Sequence, residues 1–374
     1  MENHRLFEPV NVGSLHLPNR IVMSPMTRVF SPGGVPGENV AAYYRRRAES
    51  GVGLIVTEGT WVPHPGASGI ENVPCFYGAR ALEGWARVAS EVHAAGGRIM
   101  PQLWHTGLLA SSTLDSIDDK AWLTNAQIGP SGMVGATGEM PRRLGRAMTQ
   151  ADIDAVIEAF AAGAESAQKL GFDGVALHGG HGYLFDQFFW KETNLRDDHY
   201  GGGIAQRTRF ACDVIKECRR RTGRNFPLMF RMSQWKLHDY NAKLCDTPQE
   251  LELFLRPLID ADIDIFDCSQ RRFWEPEFSG SDLNLAGWVK KISGRVTMTV
   301  GSVGLDLDLM PSLMGQTSKP ASLEKLLAML DRGDFDLVGV GRSLLVDHSW
   351  AAKIQRGAHH ELLPFSPDAL ATLS

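Results

Sequence analysis

The sequence predicts an α/β protein: a (β/α)8 TIM barrel with an N-terminal hairpin and a long capping insertion after its third strand. Three observations carry this reading. About eight short apolar runs alternate with longer helix-patterned stretches along the chain, and eight strands are what such a barrel needs. The runs, at 21–26, 54–60, 98–104, 174–178, 228–233, 263–269, 296–302 and 335–342, are nearly all apolar rather than alternating. Strands covered on both faces should look like that. Polar residues gather at the C-terminal ends of the runs, where this architecture builds its sites.

The elements follow in order. Val12-Gly13-Ser14-Leu15-His16-Leu17 reads as a small hairpin that plugs the barrel floor. Helices are expected over 39–50 and over 80–95, the second stopped by Gly96-Gly97. Between residues 105 and 148 lies a Gly/Ser/Asp-rich insertion, long enough to cap the site. The helix over 149–170 opens with Thr149 and Asp152 as a capping-box variant and stops at Gly171. Its Ile153, Val156, Ile157, Phe160 and Ala164 keep the three–four spacing of a buried stripe. A helix over 207–222 stops at Gly223, and one over 247–260 opens with the cap Thr247 and Pro248 at its first position. Helices at 284–293, 322–331 and 349–356 complete the set. No linker or low-complexity segment interrupts the chain, so residues 1–374 read as a single domain.

Composition narrows the function. The chain has 374 residues, 38 Lys+Arg against 43 Asp+Glu, and a net charge of −5. A slightly acidic chain argues against nucleic acid or an anionic membrane as partner. Its hydrophobic fraction, 43%, excludes large-scale disorder. The five cysteines, Cys75, Cys212, Cys218, Cys245 and Cys268, form no C-x-x-C pair. That excludes a zinc ribbon, disfavours an iron–sulfur cluster and suits a reducing cytoplasm. The first residues lack the apolar core of a secretory signal, and no apolar run approaches the ~18 residues of a membrane span.

Read in order, the strand ends form a polar set. They are Ser24-Pro25-Met26-Thr27-Arg28, Thr57-Glu58-Gly59-Thr60, Gln102-Leu103-Trp104-His105, His178-Gly179-Gly180-His181-Gly182-Tyr183, Arg231, Gly301-Ser302 and Gly341-Arg342. Glycines after strands seven and eight make tight turns, or bind a phosphate through backbone N–H groups with Arg342 adding a cation. Both turns together, with an arginine, favour phosphate. His178 and His181 allow three readings. They belong to a structural loop, or they bind a metal, or they donate hydrogen bonds to a substrate oxygen while Tyr183 supplies a proton. No Cys, Asp or Glu sits beside them to complete a metal site, so none is expected. Arg231 is either an ion-pair partner or a fixed cation beside an electron-accepting ring. Gln102 offers both a donor and an acceptor, as an imide edge requires.

These motifs resemble the Old Yellow Enzyme family of FMN-dependent ene-reductases, from Leu6 to about Leu345. The similar stretches are Leu6-Phe7-Glu8-Pro9, residues 19–28, residues 55–60, residues 102–107, and residues 171–184 running on to Asn194-Leu195-Arg196 and Tyr200-Gly201-Gly202. The resemblance implies a non-covalently bound FMN reduced by NADH or NADPH. Ser24, Pro25, Met26 and Thr27 would lie along the ring, with the Thr27 hydroxyl and the Gly59 N–H at one edge. Gln102 would hold the pyrimidine edge, Arg231 the N1/C2 region, and Gly301, Ser302, Gly341 and Arg342 the phosphate. His178, also against the flavin, and His181 would hold the carbonyl oxygen of an α,β-unsaturated substrate, with Tyr183 as proton donor and Trp104 as pocket wall. Trp274, in a stretch that departs from the common family pattern, either hangs over the pocket or is a plain surface or core aromatic.

The chain departs from the family at Ala176, where many members carry Glu, and at Trp190-Lys191. These differences bear on the substrate rather than the flavin. Expected partners are therefore a small enone-type (or nitro) compound and a nicotinamide, with a homo-oligomer allowed and no nucleic acid or membrane. Two other readings stand beside this one. The first is a phosphate-binding barrel aldolase or isomerase, which would need a lysine or carboxylate base at a strand end. The second is a flavoprotein acting mainly as a general NAD(P)H:acceptor electron-transfer protein.

Overall fold

The computed structural model describes residues 4–67, 69–109 and 127–374. Strands β1 (Val10–Val12) and β2 (Leu15–Leu17) form the antiparallel hairpin, turning at Gly13 with φ +58°. Then come β3 (Ile21–Met23), β4 (Leu54–Trp61) and β5 (Ile99–Trp104). Four two-residue strands follow within the insertion: β6 (Ile128–Gly129), β7 (Met133–Val134), β8 (Arg142–Arg143) and β9 (Arg146–Ala147). The chain returns with β10 (Val175–His178), β11 (Leu228–Ser233), β12 (Ile265–Ser269), β13 (Val296–Val300) and β14 (Leu337–Val340). β3, β4, β5 and β10 to β14 close an eight-stranded barrel, parallel throughout.

The helices lie between the strands. α1 (Glu38–Glu49) follows β3, α2 (Ala79–Ala94) follows β4, and α3 (Gln150–Lys169) follows the insertion. After β10 come α4 (Leu184–Phe189), α5 (Ile204–Arg207) and α6 (Arg209–Thr222). α7 (Pro248–Asp260) follows β11 and α8 (Leu285–Ser293) follows β12. α9 (Leu309–Leu313) and α10 (Glu324–Arg332) follow β13, and α11 (Arg342–Val346) and α12 (Trp350–Gln355) follow β14. No described helix is long and apolar enough to cross a membrane.

Local chemistry fixes the helix ends. Thr149 Oγ1 accepts from the Asp152 N–H (3.2 Å), and the Asp152 carboxylate accepts from the Thr149 N–H (2.7 Å), a complete capping box. Such a cap is worth about 1 kcal/mol. Thr247 caps α7 ahead of Pro248, and Asn284 caps α8, which ends at Gly294 with φ +64°. α4, α5, α9 and α11 were not expected from the sequence; none exceeds six residues. That is too short for a helical period to show. The first barrel strand ends at Met23 rather than 26, because Pro25 has no N–H for the ladder.

One apolar cluster fills the barrel's lower half. It takes Val22, Leu54 or Val56, Met100, Ala176, Met229, Ile265, Met298 and Leu337 from the eight strands. Val12, Leu15 and Leu17 of the hairpin belong to the same cluster, so the hairpin closes the floor as expected. Of the expected cap over 105–148, residues 110–126 lie outside the described residues, and none of 105–109 or 127–148 lines the cavity described below.

Candidate active site

Side chains alternate in and out along a strand. Two residues beyond each floor residue the inward side chain is therefore still inside, one layer higher. Val22 leads to Ser24, Met100 to Gln102, Ala176 to His178, Met229 to Arg231, Ile265 to Asp267 and Ser269, and Leu337 to Gly339. The lower layer is apolar and the upper one polar, so the site's height is written into the alternation. On β4 the count shifts. Val56 pairs with Met100 but Gly59 with Gln102, so three steps on β4 match two on β5. This bulge sets Gly59 facing inward beside Gln102, as bulges near sites do.

The upper layer surrounds a cavity of about 380 Å³, within the range of about 300–1,000 Å³ common for ligand sites. Every site residue the sequence pointed to lines it except Trp274: Ser24, Pro25, Met26, Thr27, Gly59, Gln102, Trp104, His178, His181, Tyr183, Arg231, Gly301, Ser302, Gly341 and Arg342. Trp274 lies outside. It packs edge-on against Phe273 and lines a separate depression with Gly304 and Lys325. Trp235, Tyr240, Ser269 and Arg271 line the main cavity and were not singled out from the sequence, nor were Phe365 and Leu370 from the far C-terminal segment.

One end of the cavity suits an anion. Gly301 has φ +147°, and a Cβ there would stand 2.6 Å from the Gln270 carbonyl. The Ser302 hydroxyl accepts from Arg342 Nη2 at 3.2 Å. Arg342 is fixed further by the carbonyls of Leu307 (2.7 Å) and Asp308 (2.9 Å). Both glycine turns and the arginine thus meet at one place.

Several buried polar atoms have no hydrogen-bond partner among the described residues: Gln102 Nε2, Arg231 Nε and Ser24 Oγ on the floor, and His178 Nδ1 on the wall. An unsatisfied buried polar group costs about 1–3 kcal/mol, so such a group calls for a ligand. Gly59 is needed because a Cβ would stand 2.5 Å from the Trp104 ring. Arg231 pairs with Asp267 at 2.8 Å, so the ion pair and the cavity-facing cation coexist.

The opposite wall carries the proposed chemistry. The His178 ring lies 5.1 Å from His181 and 4.9 Å from Tyr183, centroid to centroid. Tyr183 meets Trp104 edge-on at 4.8 Å. Burial, reinforced by the Arg231 charge, holds both imidazoles well below their usual range, so they are neutral at pH 7. Burial pushes the Tyr183 phenol above its ordinary value, so it keeps its proton. No metal-holding group of His, Cys, Asp or Glu occurs among the described residues.

A barrel with an anion grip at one end, an unpaired amide and cation on its floor, and neutral imidazoles facing a phenol defines a class. It suits a phosphorylated ligand held at the anion end, with its body over the Gln102 and Arg231 side chains. Residues 5–310 match the NADH:flavin oxidoreductase / NADH oxidase family, and the chain belongs to that family. Its members hold FMN non-covalently and draw on nicotinamide.

The structural likeness covers nearly the whole chain. The Old Yellow Enzyme homologue of Zymomonas mobilis superposes with a TM-score of 0.77 at 25% identity, over 98% of this chain and 96% of that one. Morphinone reductase in complex with tetrahydroNAD gives 0.78 at 25%, over 98% and 94%. In sequence, the chain is 36% identical over 219 residues to 12-oxophytodienoate reductase 7 of Oryza sativa subsp. japonica, covering 56% of this chain and 54% of that protein. It is 30% identical over 369 residues to the NADH oxidase of Thermoanaerobacter brockii, covering 96% and 52%. The chain thus spans about half the length of the curated relatives it matches.

Proposed function

We propose that the protein uses FMN and NAD(P)H to reduce the activated C=C bond of small α,β-unsaturated carbonyl or nitro compounds. The observation that carries this is the grouping of His178, His181 and Tyr183 on one wall, above a floor of unpartnered polar atoms. FMN, when bound, supplies reversible hydride chemistry between the nicotinamide and the alkene. Gln102 would satisfy its unpartnered amide on the bound group, and Arg231 would add a fixed positive charge that favours its electron-rich form. The Gly59 N–H and the Thr27 hydroxyl would also hold it. Gly301, Ser302, Gly341 and Arg342 hold the phosphate.

His178 and His181 donate to the substrate oxygen, where negative charge grows as the β-carbon is reduced. Being neutral, they stabilise that charge without surrendering a proton. Tyr183 carries the proton and gives it to the α-carbon. Its raised affinity keeps it protonated until the adjacent carbon becomes basic. Trp104 walls the cavity and keeps water off. Nicotinamide and alkene share this space in turn, which implies ping-pong kinetics.

Among the described residues no lysine lines the cavity, as the aldolase reading would need. Lys236, the nearest one in sequence to a strand end, is fully buried against Asp186 at 2.8 Å and does not line the cavity. The test is direct. Purified protein should be yellow, release FMN on denaturation, bleach anaerobically with NAD(P)H, and recolour when 2-cyclohexenone is added. A colourless preparation unable to take up FMN, or one that bleaches but ignores every enone offered, overturns the proposal.

A further inference from the structure

His181 is held from several sides. Its backbone sits at φ +65°, and its N–H donates to Ser233 Oγ at 2.8 Å. Its ring stacks on Trp235, 4.4 Å between centroids, and the Trp235 indole N–H donates to the Ser269 carbonyl at 3.2 Å. The ring's Nε2 lies 2.9 Å from Ser269 Oγ. Arg231 Nη2 lies 3.3 Å from the same oxygen, and Arg231 Nη1 donates to Asp267 at 2.8 Å. Asp267, Arg231, Ser269 and His181 therefore form one chain of hydrogen bonds, from the buried Asp267 to the wall that carries His181.

The direction of these bonds follows from donor inventory. A guanidinium only donates, so Ser269 Oγ accepts from Arg231. The hydroxyl retains one proton, and among the described residues His181 Nε2 is the remaining partner of that oxygen. With Arg231 on one lone pair, donation of the hydroxyl proton to Nε2 gives that proton a partner within the wall, and this arrangement makes Nε2 the acceptor. A neutral imidazole carries its proton on one nitrogen only. That proton is then on Nδ1, which has no hydrogen bond to any described residue.

We propose that Ser269 is a positioning residue that fixes His181 as the Nδ1–H tautomer and thereby presents a hydrogen-bond donor to the substrate oxygen. The inference rests on the reading of His181 as a carbonyl anchor. Arg231, through Ser269, ties the state of that anchor to the cation on the cavity floor. Without Ser269 no described residue selects a tautomer, and the ring can present an acceptor to an oxygen that repels it.

The test uses the full-length, FMN-loaded protein with ¹⁵N-labelled histidine. Long-range ¹H–¹⁵N spectra report which ring nitrogen is protonated, and loss of a signal in His181→Gln assigns it. The wild type should show His181 protonated at Nδ1. Ser269→Ala should shift it toward Nε2–H or an average, and Ser269→Thr, which keeps the hydroxyl, should restore it. Affinity for 4-hydroxybenzaldehyde should fall about tenfold in Ser269→Ala, the effect of one lost well-placed hydrogen bond, and stay within about twofold in Ser269→Thr. A wild-type ring protonated at Nε2, or an unchanged tautomer or affinity in Ser269→Ala, overturns the inference. Should Ser269→Ala not retain FMN, the wild-type tautomer and the Ser269→Thr variant decide. The spectra need no turnover, so their failure leaves alkene reduction standing. Absence of alkene reduction in the wild type would refute the functional reading by itself.

Discussion

The Tyr183 phenol stands edge-on to the Trp104 indole, 4.8 Å between ring centroids. The indole packs against one side of the phenol ring. A general acid held in this way contributes about 10²–10⁴-fold to a proton-transfer step. Tyr183→Phe should therefore slow alkene reduction by about two orders of magnitude or more while flavin reduction by NAD(P)H changes by less than a few-fold. Anaerobic stopped-flow traces of the two half-reactions separate them. Equal losses in both would remove Tyr183 from the proton-donor role.

Gly59 makes a different kind of demand. A methyl group there would meet the Trp104 ring at 2.5 Å. The indole would have to move into the cavity or the β4 bulge would have to open. Overpacking of this kind costs about 1–3 kcal/mol, so Gly59→Ala should weaken FMN binding by roughly 5- to 150-fold. Equilibrium dialysis of FMN against the flavin-stripped protein measures it. Undiminished affinity would mean that the close approach at Gly59 has no bearing on the cofactor.

Much of this was legible in the sequence because parallel barrel strands are buried on both faces and stand out as apolar runs. Glycine stops and Thr/Pro caps then fixed the long helices. Trp274 shows the limit. Its neighbours Arg271 and Arg272 gave no period to say which way the loop turns, and the structure sends Trp274 away from the cavity while Trp235 stacks on His181. Ser269 could have been found, since Ile265, Asp267 and Ser269 share one strand face. Phe365 and Leu370 could not. They reach the cavity through a segment that Arg28 holds by the carbonyls of Ala369 and Thr372, contacts spanning more than 340 residues.

The buried pair Arg231–Asp267 permits a double-mutant cycle. Asp267 is fully buried, and Arg231 is its only charged partner at 2.8 Å among the described residues. Removing one member leaves an uncompensated buried group, at about 3–5 kcal/mol. Removing both leaves an apolar contact. Arg231→Met should lower the stability of the flavin-stripped protein by about that amount, and Arg231→Met with Asp267→Leu should recover most of it. Urea unfolding midpoints read the effect. Simple additivity of the two single losses would show that the pair is not energetically coupled.

Glu58 carries a pH signature separate from the chemistry. It is buried within β4, where it accepts the Arg28 N–H at 2.8 Å and the Val29 N–H at 3.3 Å. Burial pushes its carboxyl up to about 7, against the help of those bonds. The folded protein thus holds a proton that the unfolded chain, titrating near an ordinary glutamate's value of about 4.3, has released. The associated stability is present below about pH 4.3 and is lost as pH rises through about 7. Integrated, the loss is on the order of 3 kcal/mol. Glu58→Gln keeps an acceptor for both N–H groups and does not titrate. Glu277, also pushed up to about 7, and the depressed imidazoles His105, His178 and His181 titrate alike in both proteins. They cancel in the difference. From pH 5 to pH 8 the Gln variant should therefore gain stability relative to the wild type, toward that full amount. A difference independent of pH would show that Glu58 is already ionised across the range, with its two backbone donors outweighing burial.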